Sequence, residues 1–311
     1  MPPPLVRSQL SESNEMTNPL QHTPDPLNRF IVRVKKFFSM SARGKYLAMG
    51  LRVRRFLPQV PLPIPLPFGA WFLARNDYMG GAEMHGGFEP AERAFVGRFL
   101  RTGMTALDIG AHPGLYTLLA SKRVGPSGRV YAFEPSPRER RALRWNLGLN
   151  RCKNVVIEEM ALGNVEDEGN LYVVDGHETG CNSLRPPAVP GPTWGVPVRI
   201  GTLDQWLETK RVKTVDFIKM DVEGGELSAL RGAERLLDRR PRPVILVEVQ
   251  DIRTQPWGYR AGEIIRYLSD KNYKWFSLSA EGALTPLDVG VESFDGNFVA
   301  CPEEFTSLPG Y

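Results

Sequence analysis

The sequence predicts an α/β domain built on a mostly parallel β-sheet with helices on both faces. From Glu89 onward, short apolar segments alternate with longer segments of helical periodicity. Strands that alternate with helices are typical of parallel sheets, because parallel neighbours need a crossover connection. The first predicted strand also ends in a glycine turn, Asp108 to Gly114, that leads directly into a helix.

The elements follow in chain order. Strands are predicted where short apolar runs end at glycine, proline or charged residues: 105–109, 129–134, 154–158, 214–220, 242–249, 273–278 and 298–302. Helices are predicted at 89–100, 115–123, 138–149, 225–238 and 261–271. A turn around Glu281 and Gly282 and a loop through Gly290 join the last two strands, which we expect to form an antiparallel edge.

The segment 167–201 interrupts the alternation. It has five prolines between 186 and 197 together with several glycines. Loops of this length in compact domains are usually functional, and ligands bind at the carboxyl edge of open α/β sheets. We therefore predict a long loop that acts as a lid over a substrate. Its polar side chains either bind a sugar or phosphate or form a solvated surface: His177, Asn182, Ser183 and Arg185.

Charge is distributed unevenly along the 311 residues. The net charge is +4, but residues 29–55 carry nine Lys/Arg and no acid, so the rest of the chain has a net charge of −5. A basic overall balance therefore gives no argument for nucleic-acid binding, and no nucleic-acid partner is predicted.

Three regions are predicted: a disordered tail (1–28), a basic amphipathic helix with a Pro-rich extension (29–84) and the main domain (85–311). The helix at 29–40 has its apolar side chains on one arc, so it either packs on the domain or lies on an anionic membrane. Peripheral membrane contact through residues 29–57 is the partner that this second interpretation implies. Five prolines between 58 and 67 exclude a transmembrane helix in the uncharged segment 56–74.

Three widely spaced cysteines, with no C-x-x-C pattern, indicate a reducing compartment rather than a disulfide framework. The first residues also lack the pattern of a signal peptide. We predict a cytoplasmic location, at the inner membrane face if residues 29–57 bind lipid.

The turn after the first strand has the spacing of a ligand site. Gly110 permits a tight turn, and the start of the following helix offers unpaired N–H groups to a negative group. The pattern Gly110-x-x-x-Gly114 differs from the G-x-G-x-x-G of dinucleotide sites, which favours a smaller ligand. Glu134 ends the second strand twenty residues later, where an acid can accept hydrogen bonds from ribose hydroxyls.

Acids also gather at the end of the fourth strand. Asp221 and Glu223 follow it directly, and we expect both to face the cleft above Gly110. Several carboxylates are costly to bury together unless they meet a cation or a substrate, so Asp221 is predicted to lie in an active site. Glu226 is explained instead by capping of the next helix.

Together these segments resemble the FkbM-type methyltransferase family. The resemblance covers about residues 85–255 and rests on motifs in order: 108–114, Ala-Phe-Glu-Pro (132–135), Asn150, Ala-Leu-Gly (161–163), Thr-Leu-Asp (202–204), Ile-Lys-Met-Asp-Val-Glu-Gly-Gly-Glu (218–226), Leu-Arg-Gly-Ala (230–233) and Val-Glu-Val (247–249). It implies a Rossmann-like class I methyltransferase fold, with a seven-stranded mostly parallel sheet and an antiparallel last strand. It also implies S-adenosylmethionine as methyl donor and a hydroxyl oxygen as acceptor.

The resemblance assigns cofactor roles by position. Asp108, Gly110 and Gly114 would shape the methionine pocket, and Glu134 would hold the ribose. The adenine would lie beside Met160, Ala161 and Leu162. His112 departs from the Asn common in the family. Its imidazole is predicted to contact the cofactor, with a role as base the less favoured interpretation.

Catalysis requires a proton acceptor beside the methyl donor, and Asp221, Glu223 and Glu248 are the candidates. A divalent ion bridged by Asp221 and Glu248 would assist a carboxylate, but no metal site is predicted. The predicted acceptor is a small molecule or glycan: a saccharide, a glycolipid or a secondary metabolite. An NAD(P)-dependent oxidoreductase and an inactive membrane-surface module remain the alternative functions. Nothing indicates an oligomeric state.

Overall fold

The structure is a computed structural model that describes residues 39–305. The described residues divide into two units between Lys45 and Tyr46, and residues 46–305 form the second compact unit. The predicted tail at 1–28 and nearly all of the predicted helix at 29–40 lie outside the described residues. Within the described part, no helix is long and apolar enough to cross a membrane.

The helices of residues 39–305 are α1 (Ala42–Phe56), α2 (Tyr78–His85), α3 (Pro90–Phe99), α4 (Leu115–Val124), α5 (Pro137–Leu149), α6 (Leu203–Lys210), α7 (Glu226–Arg231), α8 (Glu234–Asp238), α9 (Asp251–Thr254) and α10 (Gly262–Asp270). The strands are β1 (Leu62–Pro65), β2 (Trp71–Ala74), β3 (Thr105–Ile109), β4 (Arg129–Phe133), β5 (Val155–Glu158), β6 (Ala161–Leu162), β7 (Asp167–Val174), β8 (Thr193–Gly201), β9 (Phe217–Met220), β10 (Val244–Gln250), β11 (Tyr273–Leu278), β12 (Leu284–Pro286) and β13 (Asp295–Pro302). Short 3₁₀ turns lie at Gln255–Trp257 and Glu303–Phe305.

The main sheet has the order β12-β11-β13-β10-β9-β3-β4-β5. Strands β10, β9, β3, β4 and β5 are parallel, and β13 pairs antiparallel with β10 and β11. The predicted class I fold is therefore confirmed, with its antiparallel last strand. The short β12 adds an eighth strand, antiparallel to β11, beyond the predicted seven.

The two faces of this sheet carry separate parts of the core. On β10, Ile245 and Val247 belong to one cluster, whereas Val244 and Leu246 belong to another. Successive side chains of a strand point to opposite faces, so both faces are covered. This explains why the parallel strands read as continuous apolar runs. It also leaves the carboxyl ends of β3, β4, β9 and β10 as the place where polar side chains accumulate.

The prediction of a long loop at 167–201 is wrong for about half of that segment. β7 and β8 pair antiparallel over eight residues, and β6 adds a third strand to this small sheet. Leu171, Val173 and Val198 are buried there against Ala161. Only residues 175–192, between the two strands, form the connection.

The prediction of a single helix at 225–238 is also wrong, because this segment forms two helices, α7 and α8. The break lies at Gly232, where a Cβ would stand 2.0 Å from the carbonyl oxygen of Gly163. Only glycine fits so close to that backbone. The chain therefore turns at this point instead of continuing the helix.

Residues 62–74, ahead of the predicted main domain, belong to the second compact unit. β1 and β2 form a hairpin, and the backbone N–H groups of Trp71 and Leu73 donate to the side-chain oxygens of Asn150 and Asn146, both at 2.8 Å. Phe72 is buried in the same cluster as apolar residues of α4 and α5. The hairpin is therefore held against α5 by side-chain amides that satisfy the free edge of β2.

Candidate active site

The turn between β3 and α4 lies at the centre of the sheet edge. The backbone N–H groups of Gly110 and Ala111 both donate to the carbonyl of Phe133 at 3.0 Å, and Asp221 N–H donates to Ile109. Gly110 has φ of +84°, and a Cβ on it would lie 1.8 Å from the carbonyl oxygen of Asp221. The sequence suggested that this glycine makes room for a ligand. In the structure it makes room for the neighbouring strand end.

Two clefts open on either side of this turn. The first, which we call the nucleoside cleft, is lined by Phe133, Glu134 and Pro135 and by the predicted adenine residues Met160, Ala161 and Leu162. Met160, Ala161 and Leu162 are buried, so this end of the cleft is an apolar slot suited to a planar ring. The structure thus brings the four residues predicted for the nucleoside together.

Glu134 is buried at the entrance to α5. Its carboxylate accepts hydrogen bonds from the backbone N–H groups of His112 and Ser136, both at 2.7 Å. Burial, with Glu139 nearby, raises the pKa of Glu134 to about 8. Hydrogen bonds from ribose hydroxyls would stabilise the ionised form, as expected for an acid in this position.

The second cleft is a cavity of about 410 Å³, which we call the acidic cavity. Six carboxylic acids and two cationic side chains line it: Glu89, Asp108, Glu178, Asp221, Glu223 and Glu248, with Lys219 and Arg253. It therefore contains all three of the predicted catalytic acids.

Those three acids converge on one point. One carboxylate oxygen from each of Asp221, Glu223 and Glu248 lies within 4.8 Å of the others, which is close enough to hold a metal ion. Lys219 Nζ lies 3.1 Å from Asp221 Oδ2, and Arg253 Nε lies 2.9 Å from Glu223 Oε2. Two protein cations thus already neutralise two of the acids.

The third acid lacks such a partner. Glu248 Oε2 is buried with no hydrogen bond from the described residues. Burial and then the charges of Asp221 and Glu223 raise the pKa of Glu248 well above its usual value. Burial and Asp221 likewise raise the pKa of Glu223 to about 8.

Glu226 takes no place in this cluster. Its Oε1 accepts hydrogen bonds from the backbone N–H groups of Val222 (2.9 Å) and Gly224 (3.3 Å). Glu226 lies in the first turn of α7, as predicted, but its side chain does not cap that helix: it fixes the preceding turn that presents Asp221 and Glu223.

Several residues of the acidic cavity were given no role in the sequence analysis. Tyr116 donates from its hydroxyl to Glu89 at 2.6 Å, and Asn297 donates to the other oxygen of Glu89 at 2.9 Å. Lys219 Nζ lies 5.3 Å from the centre of the Tyr116 ring. These residues come from α4, β9, β13 and the start of α3. No local pattern shows that such distant segments meet.

Backbone strain also concentrates in the acidic cavity. Glu89, His112 and Glu223 line it, and all three have positive φ, at 45°, 49° and 55°. Left-handed backbone is costly for residues with a side chain and is found mainly where function requires it. Positive φ at a non-glycine residue is invisible in a single sequence.

His112 is held by side chains rather than left free to meet a ligand. Its Nε2 lies 3.2 Å from Glu139 Oε2 and 3.3 Å from Arg75 Nη2. Arg75 also contacts Glu139 at 2.6 Å. The predicted contact between His112 and the cofactor stays a prediction. The ring does line both clefts.

Acidification should weaken the fold through His112. Burial lowers the pKa of this imidazole, so below about pH 6.5 the unfolded chain binds a proton that the folded chain resists. The free energy of unfolding should therefore decrease as the pH is lowered below about 6.5. In the His112→Asn variant this decrease should be smaller. Urea unfolding at several pH values measures it, with exposed His85→Asn as control. Equal slopes for both variants would contradict this assignment.

The loop residues predicted to bind a sugar or phosphate are used differently. Asn182 accepts a hydrogen bond from the backbone of Val174 at 2.9 Å, and Ser183 donates to the carbonyl of Glu223 at 2.7 Å. The Arg185 guanidinium lies over the Trp257 ring, whereas His177 is exposed. Asn182 therefore fixes the loop to the end of β7, and Ser183 fixes it to the turn that carries Glu223.

The two clefts share one wall. Gly110, His112, Gly180 and Asp221 line both of them. A group held in the nucleoside cleft can thus be presented to a second molecule in the acidic cavity next to Asp221. This arrangement suits the transfer of a group from a nucleoside-containing donor.

Comparison with known proteins agrees with this geometry. Residues 108–275 match the Methyltransferase FkbM domain family. A protein of Beauveria bassiana (strain ARSEF 2860) called Methyltransferase 1 is 29% identical over 144 residues, which cover 41% of this chain and 57% of that protein. The chain thus matches little more than half the length of this relative.

Solved structures show more distant likeness. The methyltransferase FkbM of Methylobacillus flagellatus has a TM-score of 0.41 at 14% identity, covering 89% of this chain and 72% of that one. Fibrillarin of Aeropyrum pernix, solved with S-adenosylmethionine, has a TM-score of 0.37 at 16% identity, covering 77% and 93%. The family match spans more than half of the chain. The chain belongs to the FkbM methyltransferase family.

Proposed function

We propose that the chain methylates a hydroxyl oxygen of a neutral acceptor: a saccharide, a glycolipid or a secondary metabolite. The observation that supports this most directly is the wall shared by the nucleoside cleft and the acidic cavity. It carries Asp221, a carboxylate placed where an acceptor hydroxyl would lose its proton.

The cofactor supplies a methyl group made electrophilic by a sulfonium. The chain's own residues would bind the cofactor and position it beside the acceptor. Met160 and Leu162 would hold the adenine, Glu134 would accept from the ribose hydroxyls, and the turn at Gly110 would form the wall between the cofactor and the acidic cavity. Positioning of the acceptor near 3 Å from the reacting carbon is the main source of rate enhancement in such a displacement.

Proton removal falls to the acid cluster. When the acceptor oxygen takes up the methyl group that the cofactor would supply, the proton of the hydroxyl would pass to a carboxylate of the cluster. Asp221 is the nearest to both clefts, and Lys219 holds it at 3.1 Å.

The charge of the acidic cavity selects the acceptor class. Glu223 and Glu248 have raised pKa values, but the other four acids still outnumber the two cationic side chains, which disfavours phosphates and carboxylates and therefore nucleic acid and sugar phosphates. The hydroxyl groups of a neutral polyol can donate hydrogen bonds to the many carboxyl oxygens of this cavity. The rings of Tyr78 and Phe88, 6.0 Å apart, add apolar surface at its wall.

Free thiols at Cys152, Cys181 and Cys301 fit the predicted cytoplasmic location.

Two measurements test the proposal. Calorimetry should detect binding of S-adenosylhomocysteine and none of NAD. Radiolabelled methyl transfer should then be assayed on neutral glycosides, matched sugar phosphates and ribosomal RNA. Label in the glycosides alone is the expected result, and label in RNA or only in phosphates would overturn the acceptor class. Parallel reactions with EDTA and with Mg²⁺ test whether transfer requires a divalent cation. If it does, Asp221, Glu223 and Glu248 are the expected ligands of that cation.

A further inference from the structure

One face of α1 is apolar and exposed to solvent. Counting from Tyr46, the first residue of α1 in the second compact unit, four large apolar side chains are exposed: Tyr46 (42%), Met49 (62%), Val53 (38%) and Phe56 (83%). At 3.6 residues per turn these four fall within an arc of about 80°. We call this arc the α1 apolar face.

The opposite side of the helix is anchored. Leu47 is buried in the core cluster that contains Ile64 and Phe72. Arg54 is also buried, and its guanidinium donates to the carbonyl of Ala74 at 2.7 Å. The helix is therefore fixed by one side, while Met49, Val53 and Phe56 of the α1 apolar face are exposed among the described residues. Tyr46, also on this face, donates from its hydroxyl to the carbonyl of Pro63 at 2.7 Å.

Further apolar groups continue this surface. Leu57 and Val60 follow the helix and are 52% and 47% exposed. Trp71 is 44% exposed, and its ring lies 5.9 Å from that of Tyr46. A contiguous group of this kind marks an interaction site more often than scattered single residues do.

The charges beside the α1 apolar face have one sign. Arg52 and Arg55 are exposed on the adjoining arc of the helix. In the sequence from 29 to 76 there are ten Lys/Arg and no Asp or Glu. A helix with an apolar arc next to a cationic arc is suited to the boundary between anionic headgroups and acyl chains.

We propose that the α1 apolar face docks on an anionic lipid surface. Phe56 and Met49 enter the acyl boundary, while Arg52 and Arg55 meet the lipid phosphates. RNA would use the two arginines but would leave the apolar arc exposed to water. An ordinary protein partner would not require an entire segment free of acids. The surface is independent of the reaction, so its test does not depend on the proposed acceptor.

Vesicle sedimentation of the full chain tests the proposal. The probes are phosphatidylcholine vesicles, with and without roughly one third phosphatidylglycerol. We expect binding to the anionic vesicles that weakens as salt is added. The variant Met49→Ser/Val53→Ser/Phe56→Ser should lower the partition coefficient by about tenfold or more. Arg52→Ala/Arg55→Ala should lower it at low salt and flatten its dependence on salt.

The matched control is Val165→Ser/Val289→Ser/Val291→Ser, which removes three other exposed apolar side chains. It should bind vesicles as the unchanged chain does. All substituted positions are exposed, so the variants should fold, and thermal melts check this. Equal sedimentation of the two triple variants would overturn the proposal. So would failure of the unchanged chain to bind anionic vesicles, or a preference for an RNA oligonucleotide over them.

Discussion

Asp221→Asn is expected to lower methyl transfer by about 10²–10⁴-fold, the usual contribution of a general base. The change keeps the shape of the side chain and an oxygen that can accept from Lys219, which lies 3.1 Å away. It removes the proton acceptor on the wall that the two clefts share. Initial rates with saturating cofactor measure the loss, and calorimetry with S-adenosylhomocysteine should show unchanged affinity.

Two further variants identify the base. Glu248→Gln and Glu223→Gln remove the other acids of the cluster, and each should cost less than Asp221→Asn because neither residue lines the nucleoside cleft. Glu168→Gln, at an exposed position on β7, is the control. If Asp221→Asn keeps full activity while Glu248→Gln loses it, the proton acceptor is Glu248 and our assignment is wrong.

Gly110→Ala is expected to abolish cofactor binding and to destabilise the fold by more than about 3 kcal/mol. Its Cβ would stand 1.8 Å from the carbonyl oxygen of Asp221, so β3 and β9 must separate at the point where the clefts meet. Left-handed backbone at φ +84° adds a smaller penalty. Urea unfolding and calorimetry with S-adenosylhomocysteine measure the two effects.

The variant Gly69→Ala separates the cost of left-handed backbone from the cost of a steric clash. Gly69 has φ of +79°, similar to Gly110, but a Cβ there meets no atom within 4 Å. Its substitution should cost only the backbone penalty, roughly 1 kcal/mol. Equal losses of stability in the two variants would contradict the steric explanation for Gly110.

The sequence predicted the central sheet because each strand carries its own local signal. β3 and β11 match the predicted ranges residue for residue, since an apolar run between polar residues is defined within a few positions. The same local signal located Asp221 and Glu134, because acids at the ends of buried strands stand out, whereas Glu248 lies inside β10. Their convergence followed from the rule that parallel strands end at one edge.

Local sequence patterns do not predict which distant segments pair with each other. β7 and β8 are separated by eighteen residues rich in proline and glycine, and β8 itself contains Pro197, so composition suggested a loop. The hairpin exists because Leu171 and Val198 find a shared apolar cluster. Glu89 and Asn297 likewise meet across 208 positions. Tertiary packing decides such contacts, and neither partner signals the other.

The hairpin of β1 and β2 changes what a minimal version of this enzyme must contain. Arg75, directly after β2, contacts both Glu139 and His112 in the turn between β3 and α4. Phe72 covers Leu118 and Leu143 in a shared cluster. A fragment limited to the family segment 108–275 would leave those side chains in water and His112 without its arginine. Shortened versions intended for crystallography or screening should therefore begin ahead of Leu62.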